Sequence, residues 1–256
     1  MNTRPLATGV TLLSGAGGSA RTSTAVGLAA RLARKGHKTL FFDFCFGWSG
    51  LNIGNSDLYP YERLLQAENC HQFVTATDYG FDLISCLPPN VLNPDSDELQ
   101  RITYLVHELG GRYDFIILDP PASAHPLSLL AAGLCEEIFL LIRPDAAAVA
   151  SSYCLLKNLV GEGLNDRIKI AFAFVDSPEQ AASLKSKFDQ LTGQFIKTRF
   201  PDGGFVYRID EAGDGGFRPE EDIEIYISNA KNLILSDSGA FHHATIGKGD
   251  LYQIPA

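Results

Sequence analysis

Residues 14–24 read Ser-Gly-Ala-Gly-Gly-Ser-Ala-Arg-Thr-Ser-Thr. This glycine-rich stretch follows a short apolar run, residues 10–13, and precedes a segment whose apolar residues recur at helical spacing. Between a buried strand and an amphipathic helix, the backbone N–H groups of such a turn and the positive end of the helix dipole face an anion. The stretch therefore predicts a loop that wraps phosphate groups. A strand-to-helix turn that holds no ligand is the alternative, and the loop alone does not decide between the two.

The rest of the first 200 residues alternates short apolar runs with helical patterns. The runs predict strands at residues 39–43, 81–86, 115–118, 137–142 and 168–175, and the patterns predict helices at 97–109, 145–160 and 178–192. Apolar runs separated by helices indicate a parallel sheet covered on both faces, with any ligand along one edge. We therefore predict a doubly wound, mostly parallel α/β domain over residues 1–202. Residues 203–256 are predicted to be a C-terminal extension that packs on this domain or trails from it.

The composition narrows the functional classes. The chain has 256 residues, of which 45% are hydrophobic, and a formal net charge of −9. An acidic chain argues against a general nucleic-acid-binding surface, which needs lysine and arginine to neutralise phosphates. No apolar run is long enough to span a bilayer, and we recognise no signal peptide. We therefore expect a cytoplasmic protein, which a partner could recruit to the inner membrane.

The five cysteines form no Cys-x-x-Cys pair. Such pairs are the usual sequence signal of a structural zinc site. We therefore expect neither a disulfide framework nor a zinc site, and we interpret the cysteines as reduced thiols, most of them buried.

Four segments of the chain, in the same order, resemble MinD/ParA-type ATPases. Residues 15–23 resemble, without a gap, the deviant Walker A loop of that family, Gly-Lys-Gly-Gly-x-Gly-Lys-Thr-Thr. Residues 38–43 are similar to its second strand, which ends in an aspartate, and residues 113–122 to its Walker B strand and the switch that follows. Residues 136–157 resemble the next strand and helix. The resemblance implies a P-loop NTPase fold of the deviant Walker A type and a site for ATP or ADP with Mg²⁺.

The resemblance also implies roles for individual residues. The nucleotide-binding positions are Gly15, Gly17, Gly18, Ser19, Arg21, Thr22 and Ser23. The Mg²⁺ ligands are Thr22, Asp43 and Asp119, and the two aspartates are also the candidate catalytic residues. Each has an ordinary structural alternative, because threonine is a good residue to begin a helix and aspartates at strand ends often serve as caps.

Four positions depart from the family pattern. Ala16 stands in place of the signature lysine, Ala20 in place of a glycine, Arg21 in place of the P-loop lysine and Cys45 in place of a second aspartate. Phosphoryl transfer depends on positioning and charge neutralisation, and arginine does not replace a compact ammonium. We therefore expect hydrolysis near background and weak or absent nucleotide binding. The alternative is a slow ATP-dependent switch in which Arg21 replaces the lysine and Asp43 activates water.

These departures indicate a degenerate regulator that acts through protein contacts. The resemblance suggests two settings in the cell envelope, the flagellum, through regulators of the FlhG/FleN type, and the secretion of cellulose or another polysaccharide. A homodimer is compatible with the resemblance. We do not expect ATP to drive it, because the lysine that reaches across the family's dimer is Ala16 here.

The predicted partner surface lies in the two loops that follow the second strand and the Walker B strand. Its residues are Phe46, Trp48 and Pro121, with Phe44 beside them and Trp48 as the anchor. Burial of the aromatic side chains in the core is the alternative.

Overall fold

The computed structural model describes residues 7–44, 59–87, 93–207 and 225–226. The strands in these residues are β1 (Thr8–Leu13), β2 (Thr39–Asp43), β3 (Tyr59–Pro60), β4 (Thr75–Ala76), β5 (Asp82–Leu87), β6 (Phe115–Asp119), β7 (Glu137–Ile142), β8 (Ile168–Val175), β9 (Asp202–Tyr207) and β10 (Ile225–Tyr226). The α-helices are α1 (Arg21–Arg34), α2 (Tyr61–Gln66), α3 (Ser96–Gly110), α4 (Pro126–Leu134), α5 (Ala146–Gly161) and α6 (Pro178–Phe195). Short 3₁₀ turns span Cys70–Phe73 and Asn165–Arg167. Among the helices described, none has the length and apolar character needed to cross a membrane.

The strands form a sheet in the order β10-β9-β8-β7-β1-β6-β2-β5-β3, with β4 paired to β5. The pairs β10–β9 and β4–β5 are antiparallel, and the other described pairs are parallel. The register places Asp43 at the end of β2 beside Asp119 at the end of β6. The predicted doubly wound, mostly parallel sheet is confirmed.

Alternate residues of each strand pack on opposite faces of the sheet, as the two-residue period of a strand requires. Phe41 and Ile117 face α1. Phe42 and Leu118 face the layer of α2, α3 and α4. Leu140 packs on the same side as these, against α5 and α6. Both faces are therefore covered, and the edge formed by the carboxyl ends of the strands is left for a ligand.

Capping side chains begin the longer helices, with one exception. Asp95 forms a capping box with Glu98 at the start of α3, and the Asp145 carboxylate accepts the backbone N–H of Ala148 at 2.9 Å at the start of α5. Ser177 caps α6 in the same way. The N-cap residue of α1 is Ala20, which has no side-chain acceptor to offer. The amino terminus of α1 therefore relies on other acceptors, of which a bound anion is one.

The sequence patterns give the bounds of β2, β7 and β8 correctly, but they do not predict α2, α4 or β9. In β9, a Cβ added to Gly203 would lie 3.2 Å from the backbone of Ile170 in β8, so glycine permits the close approach of the two strands. Since β9 pairs with β8 in parallel, the sheet continues past residue 202. The division of the chain into residues 1–202 and 203–256 stays a prediction.

A buried ion pair joins β7 and β8. The Lys169 ammonium donates a hydrogen bond to the Glu137 carboxylate, and the two side chains are only 8% and 6% exposed. The same ammonium lies 5.4 Å from the centroid of the Phe139 ring. Because both charges are removed from water, each depends on the other for compensation.

Candidate functional site

The phosphate loop and the two predicted aspartates meet at the carboxyl edge of the sheet. The loop joins β1 to α1, and β6 pairs with β1 on one side and with β2 on the other. Asp43 and Asp119 end β2 and β6 and are 1% and 0% exposed. The fold thus brings together three segments that are widely separated in sequence.

The loop enters α1 through a residue in the left-handed region. Ala20 has φ 55° and ψ 18°, and Gly18 also has a positive φ, 69°. The carbonyl of Ala20 accepts hydrogen bonds from the backbone N–H and the hydroxyl of Thr24, at 2.8 and 2.7 Å, and so starts the helix. A side chain with a Cβ is strained in this conformation. Glycine, which the family has at this position, therefore avoids backbone strain and also allows a closer approach to phosphate.

Gly15 has a packing role. A Cβ added to it would lie 2.1 Å from the backbone nitrogen of Ser152 in α5, and its own N–H donates to the Ser152 hydroxyl at 3.4 Å. A Cβ built on Gly17, by contrast, would have no atom of the described residues within 4 Å. Gly15 is therefore the point at which α5 contacts the loop.

Asp119 is the centre of the polar network. Its carboxylate accepts a hydrogen bond from the Arg21 Nε at 2.9 Å and another from the Thr22 hydroxyl at 2.6 Å. Arg21 is 8% exposed, so the pair is a buried, charge-assisted interaction. The residue predicted to bind phosphate and two of the predicted Mg²⁺ ligands are thus in contact with one another.

Asp43 is also held by hydrogen bonds. The Ser85 hydroxyl of β5 donates to its carboxylate at 2.8 Å. Together with Asp119 and the Thr22 hydroxyl, it supplies the oxygen donors that Mg²⁺ prefers. The donor types therefore fit the ion, while the guanidinium on Asp119 already supplies positive charge there. Bound Mg²⁺ would neutralise the phosphate oxygens of a nucleotide.

A cavity of about 440 Å³ lies over the loop. This volume falls within the usual range for small-ligand sites, about 300–1,000 Å³. Six of the seven predicted nucleotide-binding positions line the cavity, and the seventh, Gly15, does not. The lining residues in the described part of the chain are Ser14, Gly17, Gly18, Ser19, Ala20, Arg21, Thr22, Ser23 and Ala122.

Arg143 is a residue of this site that the sequence analysis missed. Its Nη1 lies 3.1 Å from the position of a Cβ built on Gly18, so a second guanidinium stands beside the loop. Its Nε donates to the Asp145 carboxylate at 2.9 Å. The backbone N–H of Ala148 and, next, this Arg143 contact lower the pKa of Asp145 below its ordinary value. Its place in the sequence was the available signal. Arg143 directly follows β7, which pairs with β1 on the side opposite β6, so it lies at the same sheet edge as the loop that follows β1.

The loop after β6 contacts the phosphate loop. The backbone N–H of Ser123 donates to the carbonyl of Ser14 at 2.8 Å, and Ser123 has a φ of 79°. Pro121, one of the predicted partner-binding residues, is half-buried, and its carbonyl accepts the Ser128 hydroxyl at 2.7 Å. A backbone hydrogen bond therefore joins the two loops.

Only some of the other residues of the predicted partner surface belong to the part of the chain that the structure describes. Phe44 is 4% exposed and stacks on Phe42 with 4.3 Å between ring centroids, so it belongs to the core. Cys45, Phe46 and Trp48 lie outside the described residues. Their proposed roles stay predictions.

Comparison with known proteins gives MinD and ParA relatives. No protein-family profile matches the chain. The chromosome-partitioning ATPase Soj of Thermus thermophilus is 31% identical over 168 residues, which cover 63% of this chain and 66% of Soj. The chromosome partitioning protein ParA of Myxococcus xanthus is 26% identical over 199 residues, covering 72% and 70%. The septum site-determining protein MinD of Neisseria meningitidis is 26% identical over 152 residues, and the chain spans 56% of its length.

Solved structures give the same result for the fold. The MinC:MinD cell division protein complex of Aquifex aeolicus superposes with a TM-score of 0.62 at 16% identity, covering 79% of this chain and 82% of that one. MinD of Pyrococcus horikoshii, solved with Mg-ADP, gives 0.60 at 18% identity, with the same two coverages. Identities this low show a shared fold and no more.

Proposed function

We propose that this chain, which has homologues among the MinD- and ParA-type P-loop ATPases and shares their fold, is a regulatory protein with a weakened nucleotide site. It binds ATP or ADP weakly and hydrolyses ATP at a rate close to background. Its output is a contact with a protein partner. The observation that carries this proposal is the network around Asp119, in which Arg21 and Thr22 donate to the same buried carboxylate.

The network weakens catalysis in two ways. A dication that binds Asp119 has to share this carboxylate with a guanidinium that is already hydrogen-bonded to it. The same guanidinium is held by Asp119 through its Nε, which restricts how it can be aimed at a transferring phosphoryl group. Loss of a single preorganised donor costs about 10²–10³ in rate in other enzymes, and Ala16 removes a further cation from the loop.

The relatives suggest the kind of partner. Their names describe septum site determination and chromosome partitioning, and one of the solved structures is a complex of MinD with MinC. The net charge of −9 favours a protein partner over nucleic acid. We therefore propose that the chain helps to place or regulate a machine of the cell envelope, such as the flagellum or a polysaccharide secretion system. The partner recruits it to the inner membrane, and any homodimer forms without ATP.

A slow ATP-dependent switch is the second candidate. The cavity over the loop is intact, and Thr22, Asp43 and Asp119 stand together at its edge. In this case Arg21 takes the place of the P-loop lysine and Asp43 activates water.

Calorimetry and phosphate release distinguish the two candidates. Purified full-length chain is titrated with ATP and with ADP, each with and without Mg²⁺, and phosphate release is followed for the natural chain and for Asp119→Asn, which keeps the shape of the side chain. We expect weak binding that depends little on Mg²⁺, and equal, near-background phosphate release from both proteins. Steady release that Asp119→Asn abolishes supports the switch and overturns our proposal. No binding of either nucleotide overturns the nucleotide part of the proposal alone.

A further inference from the structure

Three side chains of types that bind transition metals meet on the helical layer of α2, α3 and α4, away from the phosphate loop. Cys70 and His71 lie in the 3₁₀ turn after α2, and Glu108 lies in the last turn of α3. A thiol sulfur, an imidazole nitrogen and a carboxylate oxygen from the three residues lie within 4.8 Å of one another. The His71 Nε2 and the Glu108 Oε1 are 3.8 Å apart.

The cluster contains polar atoms that the protein does not satisfy. The His71 Nε2 and the Glu108 Oε2 are buried and have no hydrogen-bond partner among the residues that the structure describes. The Cys70 sulfur lies within 4.8 Å of a ligand atom of each of these two side chains. Buried polar atoms are almost always paired, because an unpaired one loses its hydration without compensation. Two buried atoms that lack a hydrogen bond, on neighbouring side chains, therefore indicate a ligand that binds both of them.

We propose that Cys70, His71 and Glu108 bind a transition-metal dication, and that Zn²⁺ is the ion that fits them best. Zinc accepts thiolate, imidazole and carboxylate in one site, and three protein ligands leave a fourth position for water. With bonds of about 2.0–2.3 Å, tetrahedral ligand atoms lie about 3.5 Å apart. The ligand atoms, which lie within 4.8 Å of one another, thus approach by up to about 1.3 Å, a movement within the reach of rotamer adjustment.

The surroundings prepare the site. The Asn69 side chain accepts the His71 backbone N–H at 2.9 Å and fixes the turn that carries two of the ligands. The Arg101 guanidinium donates to the carbonyls of Leu65 and Ala67, and so joins α3 to the chain that leads into the same turn.

The location separates the proposed metal site from the nucleotide site. Glu108 stands near the carboxyl end of α3, shortly before the start of β6, whereas the phosphate loop lies at the carboxyl edge of the sheet. A crossover helix runs antiparallel to the strands beside it, so the two sites lie at opposite edges. The metal links the turn after α2 to α3, and this inference does not depend on the proposed nucleotide site.

Cobalt and zinc titrations of the full-length chain test the site. We expect Co²⁺ to give a thiolate-to-cobalt charge-transfer band in the near ultraviolet, and Zn²⁺ to displace it with one ion per chain. Cys70→Ser should abolish the band, and Cys154→Ser, which changes an exposed thiol, should leave it unchanged. Zn²⁺ should raise the melting temperature of the natural chain and not that of Glu108→Gln.

Further variants separate a loss of metal binding from a loss of the fold. Cys70 is fully buried and its variant could fail to fold, so His71→Gln and Glu108→Gln, whose side chains are partly exposed, provide the same test in folded protein. His107→Gln is the matched control, because this neighbouring histidine is exposed on α3. The absence of a charge-transfer band overturns the proposal. So does a band that survives in Cys70→Ser and Glu108→Gln, which would place the metal on other residues.

Discussion

Replacing Ala20 by glycine should stabilise the protein. Ala20 holds φ 55° and ψ 18° at the start of α1, where a Cβ costs about 1–2 kcal/mol. Glycine removes this strain but adds freedom to the unfolded chain, which costs about 0.4–1 kcal/mol. Taken at the middle of these two ranges, the net gain is about 0.8 kcal/mol in the free energy of unfolding. In a chain of this size, that gain corresponds to a rise of about 1–4 °C in melting temperature.

Thermal and urea unfolding measure this gain, and a second glycine in the same helix is the matched control. Ala33 lies in the last turn of α1 in ordinary helical conformation, so Ala33→Gly should cost about 1 kcal/mol. The two variants make the same chemical change and should shift stability in opposite directions. If Ala20→Gly destabilises the protein as Ala33→Gly does, the strain at this position is not real and the reasoning fails.

Two further substitutions test packing and charge. Gly15→Ala drives a methyl group against the Ser152 backbone and should cost about 3 kcal/mol in a melting experiment. Gly17→Ala, whose new methyl group meets no atom of the described residues, should change stability little. Equal losses would contradict the packing role of Gly15. Glu137→Ala removes the carboxylate beside the buried Lys169 ammonium and should cost about 3–5 kcal/mol. Lys169→Met added to it should recover much of the loss in urea unfolding, and a double variant no better than the single one would count against charge as the cause.

The sequence predicted those parts of the fold in which burial is continuous. β2, β7 and β8 are mainly apolar because they lie inside a parallel sheet covered on both faces, and their predicted bounds are correct. β9 was missed because its glycines permit a close approach to β8, and glycine in sequence normally indicates a turn. The helix α4 was missed because Pro126 follows a loop, although proline is well suited to the first turn of a helix.

The candidate site shows a different limit. The loop and the two aspartates could be identified because they belong to motifs that occur in a fixed order along the sequence. The direction of the Arg21 side chain could not, because it is set by Asp119, which enters the site from another strand. The contact of Arg143 with the loop has the same origin. The absence of paired cysteines argued against a zinc site. Two of the three proposed ligands are a histidine and a glutamate, and only the tertiary structure brings the glutamate to Cys70 and His71.

The contact between Arg21 and Asp119 has a consequence for how the protein responds to its surroundings. The guanidinium is tethered to the carboxylate by the chain, so its local concentration does not fall when the protein or the medium is diluted. A dication from solution competes with it by mass action and has to overcome that fixed advantage. For the regulatory role proposed above, changes in Mg²⁺ and nucleotide would therefore alter this edge of the sheet little, and the activity would follow the abundance of the partner.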